Sequence, residues 1–323
     1  VAGSVRLVLV GLGDIGVKAH LPALRRNERV QLVAGVDPDP ARRAAVADLD
    51  TVADVGELDE KPDGYVLATP PWVTTGLAAR LLGEGHYVLA EKPLGTSTDA
   101  LRPLRDLPDR SRLQVGLTYR HDPAIERLRD WIEHGPLDGP LLVRAHIYDE
   151  RRDPDDAEHE RRIRRTLEHG SPVMHEGSHV FDWLAYLLGE TPELHDAWSV
   201  RTDATFEHPN LVGARLAYGE SEVLTEFGWL TDALPRCELT FLGQRAQATL
   251  DGFTFKLTLQ TANETETFDD PRDRTERCFD RQLDRFLDLI TGQADRAMPG
   301  WSEGLASLKL SEQVATRAVE GAP

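Results

Sequence analysis

The strongest constraint on this chain lies in its first residues. The apolar run Arg6-Leu7-Val8-Leu9-Val10 ends in Gly11-Leu12-Gly13-Asp14-Ile15-Gly16, and a helix-like stretch with Lys18-Ala19-His20-Leu21 follows at once. A bare G-x-G-x-x-G says little; one that closes a strand and opens a helix reads as a dinucleotide-binding turn. Position dictates the residue types: Gly11 allows the tight turn, Gly13 lets the backbone approach a pyrophosphate, and Gly16 lets the helix pack on its strand. An anion held there meets free N–H groups at the positive end of the helix, so Asp14 and Ile15 belong to the same cofactor loop. Asp37 closes the second strand, Val30–Val36, 21 residues past Gly16. A carboxylate in that place accepts hydrogen bonds from ribose hydroxyls and repels a 2′-phosphate. NAD is expected ahead of NADP, with Arg42 and Arg43 near enough to serve a phosphate as the alternative.

Through about residue 120 strand and helix signals alternate at the pace of a parallel, doubly wound sheet. Tyr65-Val66-Leu67-Ala68-Thr69 is stopped by Pro70-Pro71, and a helix is predicted from about Thr74 to Glu84. Tyr87-Val88-Leu89-Ala90 and Leu113-Gln114-Val115-Gly116-Leu117 follow, with a helix-like Ser97 to Leu107 between them. With the first two runs these make five strands and predict a Rossmann-like domain over residues 1–120. Past Tyr119 the rhythm changes to a helix over Pro123 to His134, a strand over Leu141 to Tyr148, a charge-dense segment and a helix over His175 to Leu188 stopped by Gly189. Alternating segments from Leu194 to Phe268 predict a mostly antiparallel sheet, and helices over Glu276 to Ile290 and Ser302 to Val319 end the chain. The expected fold is α/β: an N-terminal Rossmann doubly wound parallel sheet plus a C-terminal α+β domain over 121–323 with a large, mostly antiparallel open sheet. The last helices are free to pack back on the first domain.

A chain of 323 residues exceeds one hydrophobic core. Its net charge of −18 opposes binding to nucleic acid or anionic membranes. Cys237 and Cys278 are too few for a disulfide framework or a four-cysteine zinc site. Neither a basic leader with a long apolar core nor a run of the ~18 apolar residues needed to span a bilayer is present, so a cytoplasmic protein is expected.

Lysine is scarce, which makes Lys92 informative. Glu91-Lys92-Pro93 directly follows the fourth strand, at the carboxyl edge where open α/β sheets bind ligands. A lysine there can hydrogen-bond a reacting oxygen and help its proton move, the alternative being a solvated loop side chain. A second constellation, His175-Glu176-Gly177-Ser178-His179, matches H-E-x-x-H, which on a helix presents both imidazoles on one face for zinc. Gly177 weakens that helix and no H-x-x-G-x-x-H extension follows, leaving Glu190 and Glu193 as candidate third ligands; no metal is expected. The competing reading takes His175, His179 and Asp182 as one helical face on which a histidine accepts the proton of an alcohol as hydride leaves its carbon.

Together these residues resemble the glucose-fructose oxidoreductase and inositol dehydrogenase family (Gfo/Idh/MocA). The likeness runs from the glycine loop through Ala68-Thr69-Pro70, Glu91-Lys92-Pro93 and Gly116-Leu117-Thr118-Tyr119-Arg120-His121-Asp122-Pro123. It continues in Gly177-Ser178-His179-Val180-Phe181-Asp182, Leu187-Leu188-Gly189 and Glu303-Gly304-Leu305. The resemblance implies a Rossmann domain, a second α/β domain whose open sheet builds homodimers or homotetramers, and Lys92 and His179 as active-site lysine and catalytic histidine. It implies that Thr69, Pro70 and Glu91 line the nicotinamide half of the cofactor site, and that Lys92, Arg120, His175 and His179 meet substrate.

The chain also departs from the family pattern. His175 stands where many relatives carry aspartate, so either imidazole can be the base. The strand end T-P-N is here Thr69-Pro70-Pro71, and the usual histidine after it is Thr74. Residues 149–169, where relatives place substrate-facing groups, interleave Arg151, Arg152, Arg161, Arg162, Arg164 and Arg165 with acids. Pairs such as Glu158 with Arg162 and Glu160 with Arg164 read as a solvated helix, with an arginine clamp for an anionic substrate as the alternative.

The expected protein is an NAD(P)-dependent oxidoreductase that interconverts a secondary alcohol and a ketone on a small sugar, polyol or inositol-like molecule. A non-catalytic ligand sensor on the same fold and a zinc hydrolase are the alternatives.

Overall fold

The computed structural model describes residues 4–153, 155–189, 191–232 and 236–320. The chain divides into two compact units: one runs to Thr118 and takes in Thr275–Ala306, the other holds Tyr119–Arg274 and the chain from Ser307 onward.

The first unit is built on β1 (Val5–Val10), β2 (Val30–Val36), β3 (Thr51–Val52), β4 (Gly64–Leu67), β5 (Tyr87–Glu91) and β6 (Leu113–Gly116), all parallel in the order β3-β2-β1-β4-β5-β6. Strands β1, β4, β5 and β6 are almost wholly buried, as near-continuous apolar runs are when helices cover both faces. The order grows one way from β1 to β3 and the other way from β4 to β6. Their carboxyl ends therefore part between β1 and β4, the topological switch point where such sheets take ligands. The sequence predicts five strands; the sixth, β3, has two residues and is too short to show a period.

Helices α1 (Leu21–Arg26), α2 (Pro40–Ala44), α3 (Pro71–Gly83) and α4 (Arg102–Arg105) connect these strands. A single wide turn, Gly16–His20, precedes α1. Where a helix is predicted from Ser97 to Leu107, only α4 forms. Pro103 has no N–H and suits only the first helical turn, and the Ser97 hydroxyl accepts the Ala100 N–H at 3.1 Å.

The second unit follows with α5 (Pro123–Glu133), β7 (Leu142–Glu150), α6 (Ala157–Leu167) and α7 (Pro172–Leu188). It continues through β8 (Pro192–Val200), β9 (Leu211–Tyr218), β10 (Ser221–Trp229), β11 (Cys237–Leu242), β12 (Ala246–Asp251), β13 (Leu257–Thr261) and β14 (Thr265–Phe268). The sheet order is β14-β13-β12-β11-β7-β10-β9-β8, antiparallel throughout except for the parallel pair β7–β10. Strand β10 alternates buried and half-buried residues, so one face closes on a core shared with α5 and α7. Helix α7 buries residues around most of its girth, and Gly189, left-handed at φ 68°, ends it.

Two further helices, α8 (Arg274–Ile290) and α9 (Trp301–Glu320), close the chain. Helix α8 returns to the first unit, where Phe279, Leu283, Phe286 and Leu287 join Leu7, Leu9, Val66 and Leu89 in one core. Among the described residues no helix is long and apolar enough to cross a membrane.

Candidate functional site

The three glycines of the first loop are required for three different reasons. Gly11 has φ +94°, and a Cβ there would lie 2.3 Å from the Ala68 carbonyl oxygen. A Cβ on Gly16 would lie 2.1 Å from the Gly11 carbonyl oxygen. Strand, turn and helix therefore touch through bare backbone. Around Gly13 nothing lies within 4 Å of the Cβ position. That glycine faces open space at the switch point, the arrangement a pyrophosphate needs to come up against main-chain N–H groups. Ile15 is exposed beside it, and Asp14 and Lys18 form an exposed ion pair at 3.1 Å.

Asp37 is 2% exposed at the end of β2. One carboxylate oxygen accepts the Leu12 N–H at 2.9 Å and the other the Asp39 N–H at 2.9 Å. The residue thus braces the glycine loop, a duty its position in the sequence does not announce. Arg42 approaches the same carboxylate at 3.5 Å, and Arg43 donates to the Asp37 carbonyl at 2.7 Å.

At the end of β5 the buried Glu91 meets His20 Nε2 at 2.8 Å, and its other oxygen accepts the Lys92 N–H at 3.2 Å. The His20 ring stands edge-on to Phe279 at 4.8 Å. Glu91 is thereby a buried prop under Lys92, and sequence reasoning missed its partner, which lies 71 positions away. At the departure from T-P-N, Pro71 opens α3, where its missing N–H costs nothing. The Thr74 hydroxyl turns back onto the carbonyls of Thr69 (2.9 Å) and Pro70 (3.1 Å).

In the second unit α7 carries His175, Glu176, His179 and Asp182. Asp182 and Arg120 form a buried, two-pronged ion pair, with Arg120 Nε donating to Oδ2 at 2.9 Å and the Arg120 guanidinium over Tyr186 at 4.9 Å. Through this pair Arg120, expected at the substrate, also anchors α7. His179, 6% exposed, packs against Tyr119 (4.7 Å between ring centroids) and Trp183 (6.1 Å). The Arg274 guanidinium lies over the Tyr119 ring at 4.4 Å. His175, one turn earlier, stacks on Trp229 at 5.2 Å and 27°.

The Trp229 indole N–H donates to Asp149 at 2.8 Å. Burial first, and the charge of Glu176 second, push the Asp149 carboxyl up to about 7. Trp229 and Asp149 carry no motif, and no signal in the sequence pairs residues 80 positions apart.

The two imidazoles lean on different aromatic partners, and among the described residues no group of three His, Cys, Asp or Glu side chains is arranged to hold a metal. Glu190 lies outside the described residues. In the charged segment Arg152, Arg162 and Arg164 pair with acids of the same unit. Arg164 meets Glu160 at 2.8 Å as the i,i+4 spacing predicts, Arg152 meets Glu160 and Asp203, and Arg162 turns to Glu150 at 3.6 Å.

Residues 5–119 match the model GFO_IDH_MocA, described as an oxidoreductase family with an NAD-binding Rossmann fold. The rhizopine catabolism protein MocA of Rhizobium meliloti is 31% identical over 193 residues, 58% of this chain and 58% of that protein. The alignment thus spans little more than half of that relative. Inositol 2-dehydrogenase 4 of Saccharopolyspora erythraea is 28% identical over 342 residues, 99% of this chain and 95% of that protein. Among solved structures, the WlbA dehydrogenase from Bordetella pertussis in complex with NADH and UDP-GlcNAcA has a TM-score of 0.79 at 21% identity, covering 99% of this chain and 97% of that one. That likeness speaks to the fold alone.

Proposed function

We propose that this chain, whose residues 5–119 match the GFO_IDH_MocA oxidoreductase family with its NAD-binding Rossmann fold, is an NAD(P)-dependent dehydrogenase or reductase acting on CH–OH groups. It interconverts a secondary alcohol and a ketone on a sugar, polyol or inositol-like substrate. The observation that carries this reading furthest is the glycine cradle, crowded at Gly11 and Gly16 and open at Gly13.

When bound, the nicotinamide supplies the hydride acceptor or donor. Gly13 lets the pyrophosphate reach main-chain N–H groups at the start of the helix, Gly11 and Gly16 shape the turn around it, and Thr69, Pro70 and Glu91 lie toward the nicotinamide end. Lys92, propped through its N–H by Glu91, hydrogen-bonds the reacting oxygen. His179, kept in place by Tyr119 and Trp183, takes the hydroxyl proton during oxidation and returns it during reduction. His175 tunes or replaces that base.

Asp37 favours NAD over NADP, because a buried carboxylate beside the adenosine ribose disfavours a 2′-phosphate. The protein acts in the cytoplasm, a reading supported by its sparing use of cysteine, Cys237 and Cys278 being too few for the disulfide framework of an oxidising compartment. It assembles as a homodimer or homotetramer, a reading supported by Trp198 and Val200, exposed apolar residues on the edge strand β8. A panel of sugars, inositols and sugar acids, offered with NAD and with NADP and followed by reduced-nucleotide absorbance, tests the reaction. No turnover across the whole panel in either direction would overturn it.

A further inference from the structure

The end of β10 is more tightly specified than a strand end needs to be. Its pairing with β7 shifts between Phe227 and Trp229, a bulge of the kind that re-aims a side chain. The residue between them is confined to glycine, since a Cβ on Gly228 would lie 2.3 Å from the Tyr148 ring. The next residue, Leu230, has φ 53°, a left-handed conformation uncommon for a branched side chain. Backbone strain of this sort persists only where the surroundings over-determine it.

Here they do. The Trp229 N–H donates to the Asn210 carbonyl at 3.0 Å, and the Asn210 side-chain amide donates to the Trp229 carbonyl at 2.9 Å. The Leu230 N–H donates to the Glu150 carbonyl at 2.6 Å. The indole N–H donates to Asp149 at 2.8 Å, so backbone and side chain of Trp229 are both held. The ring fixed in this way lies nearly parallel to the imidazole of His175.

We propose that Trp229 is a positioning residue for His175: its indole, anchored at the ring N–H by Asp149 while Asn210 holds its backbone, sets the plane in which the imidazole presents itself to substrate. The proposal rests on the proton-handling role of His175 given above. Stacking restricts the imidazole to rotation within one plane, and a rigid first group held by a second is what precise proton transfer requires. Protonation of Asp149 does not release the clamp, because a carboxylic acid still accepts through its carbonyl oxygen. The groups that face this cluster are Glu176 on α7, Glu150 on β7 and, beside Cys237 on β11, Arg274 and Asp251.

The experiment compares Trp229→Phe, which keeps a ring but loses the N–H anchor, with Trp229→Leu, which loses both. The first readout is the NMR titration of His175, assigned through His175→Gln. The second is the pH profile of kcat with an accepted alcohol. In the wild type the His175 ring protons carry an upfield ring-current shift. Trp229→Leu abolishes it, moves the kcat limb governed by His175 and lowers kcat about tenfold, while KM for NAD stays within about twofold; Trp229→Phe, a ring without its Asp149 anchor, falls between wild type and Trp229→Leu in both shift and kcat. A folded Trp229→Leu protein with wild-type kcat and pH profile overturns the proposal. If the wild type turns over no alcohol at all, the dehydrogenase reading falls and NMR alone decides the clamp, an unshifted wild-type His175 refuting it.

Discussion

Gly13→Ala offers a clean separation of folding from cofactor binding, because Gly11→Ala is its built-in contrast. At Gly11 the methyl group meets backbone at 2.3 Å and the residue sits at φ +94°. The left-handed conformation costs about 1–2 kcal/mol, and the overlap about 1–3 kcal/mol more as an overpacked site. Gly11→Ala should therefore destabilise the ligand-free protein by about 2–5 kcal/mol. At Gly13 the methyl group meets nothing within 4 Å. There the change should be neutral or stabilising by up to ~1 kcal/mol, through the lost freedom of the unfolded chain.

The same methyl occupies the space assigned to the pyrophosphate. Losing one charge-assisted hydrogen bond of roughly 1.5–3 kcal/mol raises Kd for NADH about ten- to a hundredfold. With NADH at about a hundred times the wild-type Kd, ligand stabilises the wild type by ~2.7 kcal/mol and Gly13→Ala by only ~0.4–1.4 kcal/mol. Thermal melts with and without NADH, together with calorimetric titration, read both effects. A Gly13→Ala protein that binds NADH like the wild type refutes the cradle. One that melts as early as Gly11→Ala without ligand refutes the open space.

Three other outcomes are expected. Lys92→Ala should cut kcat by about a hundredfold or more, the usual yield of a positioned proton-transfer group; turnover within about threefold of wild type removes the lysine from the chemistry. Wild type should bind NADH more tightly than NADPH by calorimetry, and Asp37→Asn should narrow the gap, whereas an initial preference for NADPH defeats the role given to Asp37. Asp149→Asn should affect stability in a pH-dependent way. The folded protein holds the Asp149 proton to about pH 7 while the unfolded chain releases it near 3.8, so wild type loses stability as pH rises across that interval. Denaturant melts should find the variant gaining on the wild type from pH 4 to 7 and level thereafter, and a constant difference across that range contradicts the buried-carboxyl account.

Much of the first unit was legible because its constraints are local. Gly11, Gly13 and Gly16 act within six residues of one another, and the buried strands β1, β4 and β5 are near-continuous apolar runs with Gly or Pro close by. The H-E-x-x-H spacing correctly put two imidazoles one turn apart on α7. What stayed hidden were partnerships made by folding: His20 with Glu91, Arg120 with Asp182, and Asp149 with Trp229, separated by 71, 62 and 80 positions. Periodicity reports which face a residue takes, but not which distant residue arrives there. Arg120 is the example: its motif says nothing of Asp182, the buried carboxylate that folding brings to it.

The place of β7 in its sheet carries a consequence for how the chain is made. It is the first strand of the second unit to leave the ribosome, yet it lies between β10 and β11, with Leu142 opposite Glu222 on one side and Leu242 on the other. Both of its edges must wait until those strands are synthesised, so the sheet has a high contact order and should assemble late and as a whole. During that wait β7 is an unpaired strand at risk of joining a neighbour's sheet. Arg144, the exposed third residue of the strand, places a charge where such mispairing would bury it.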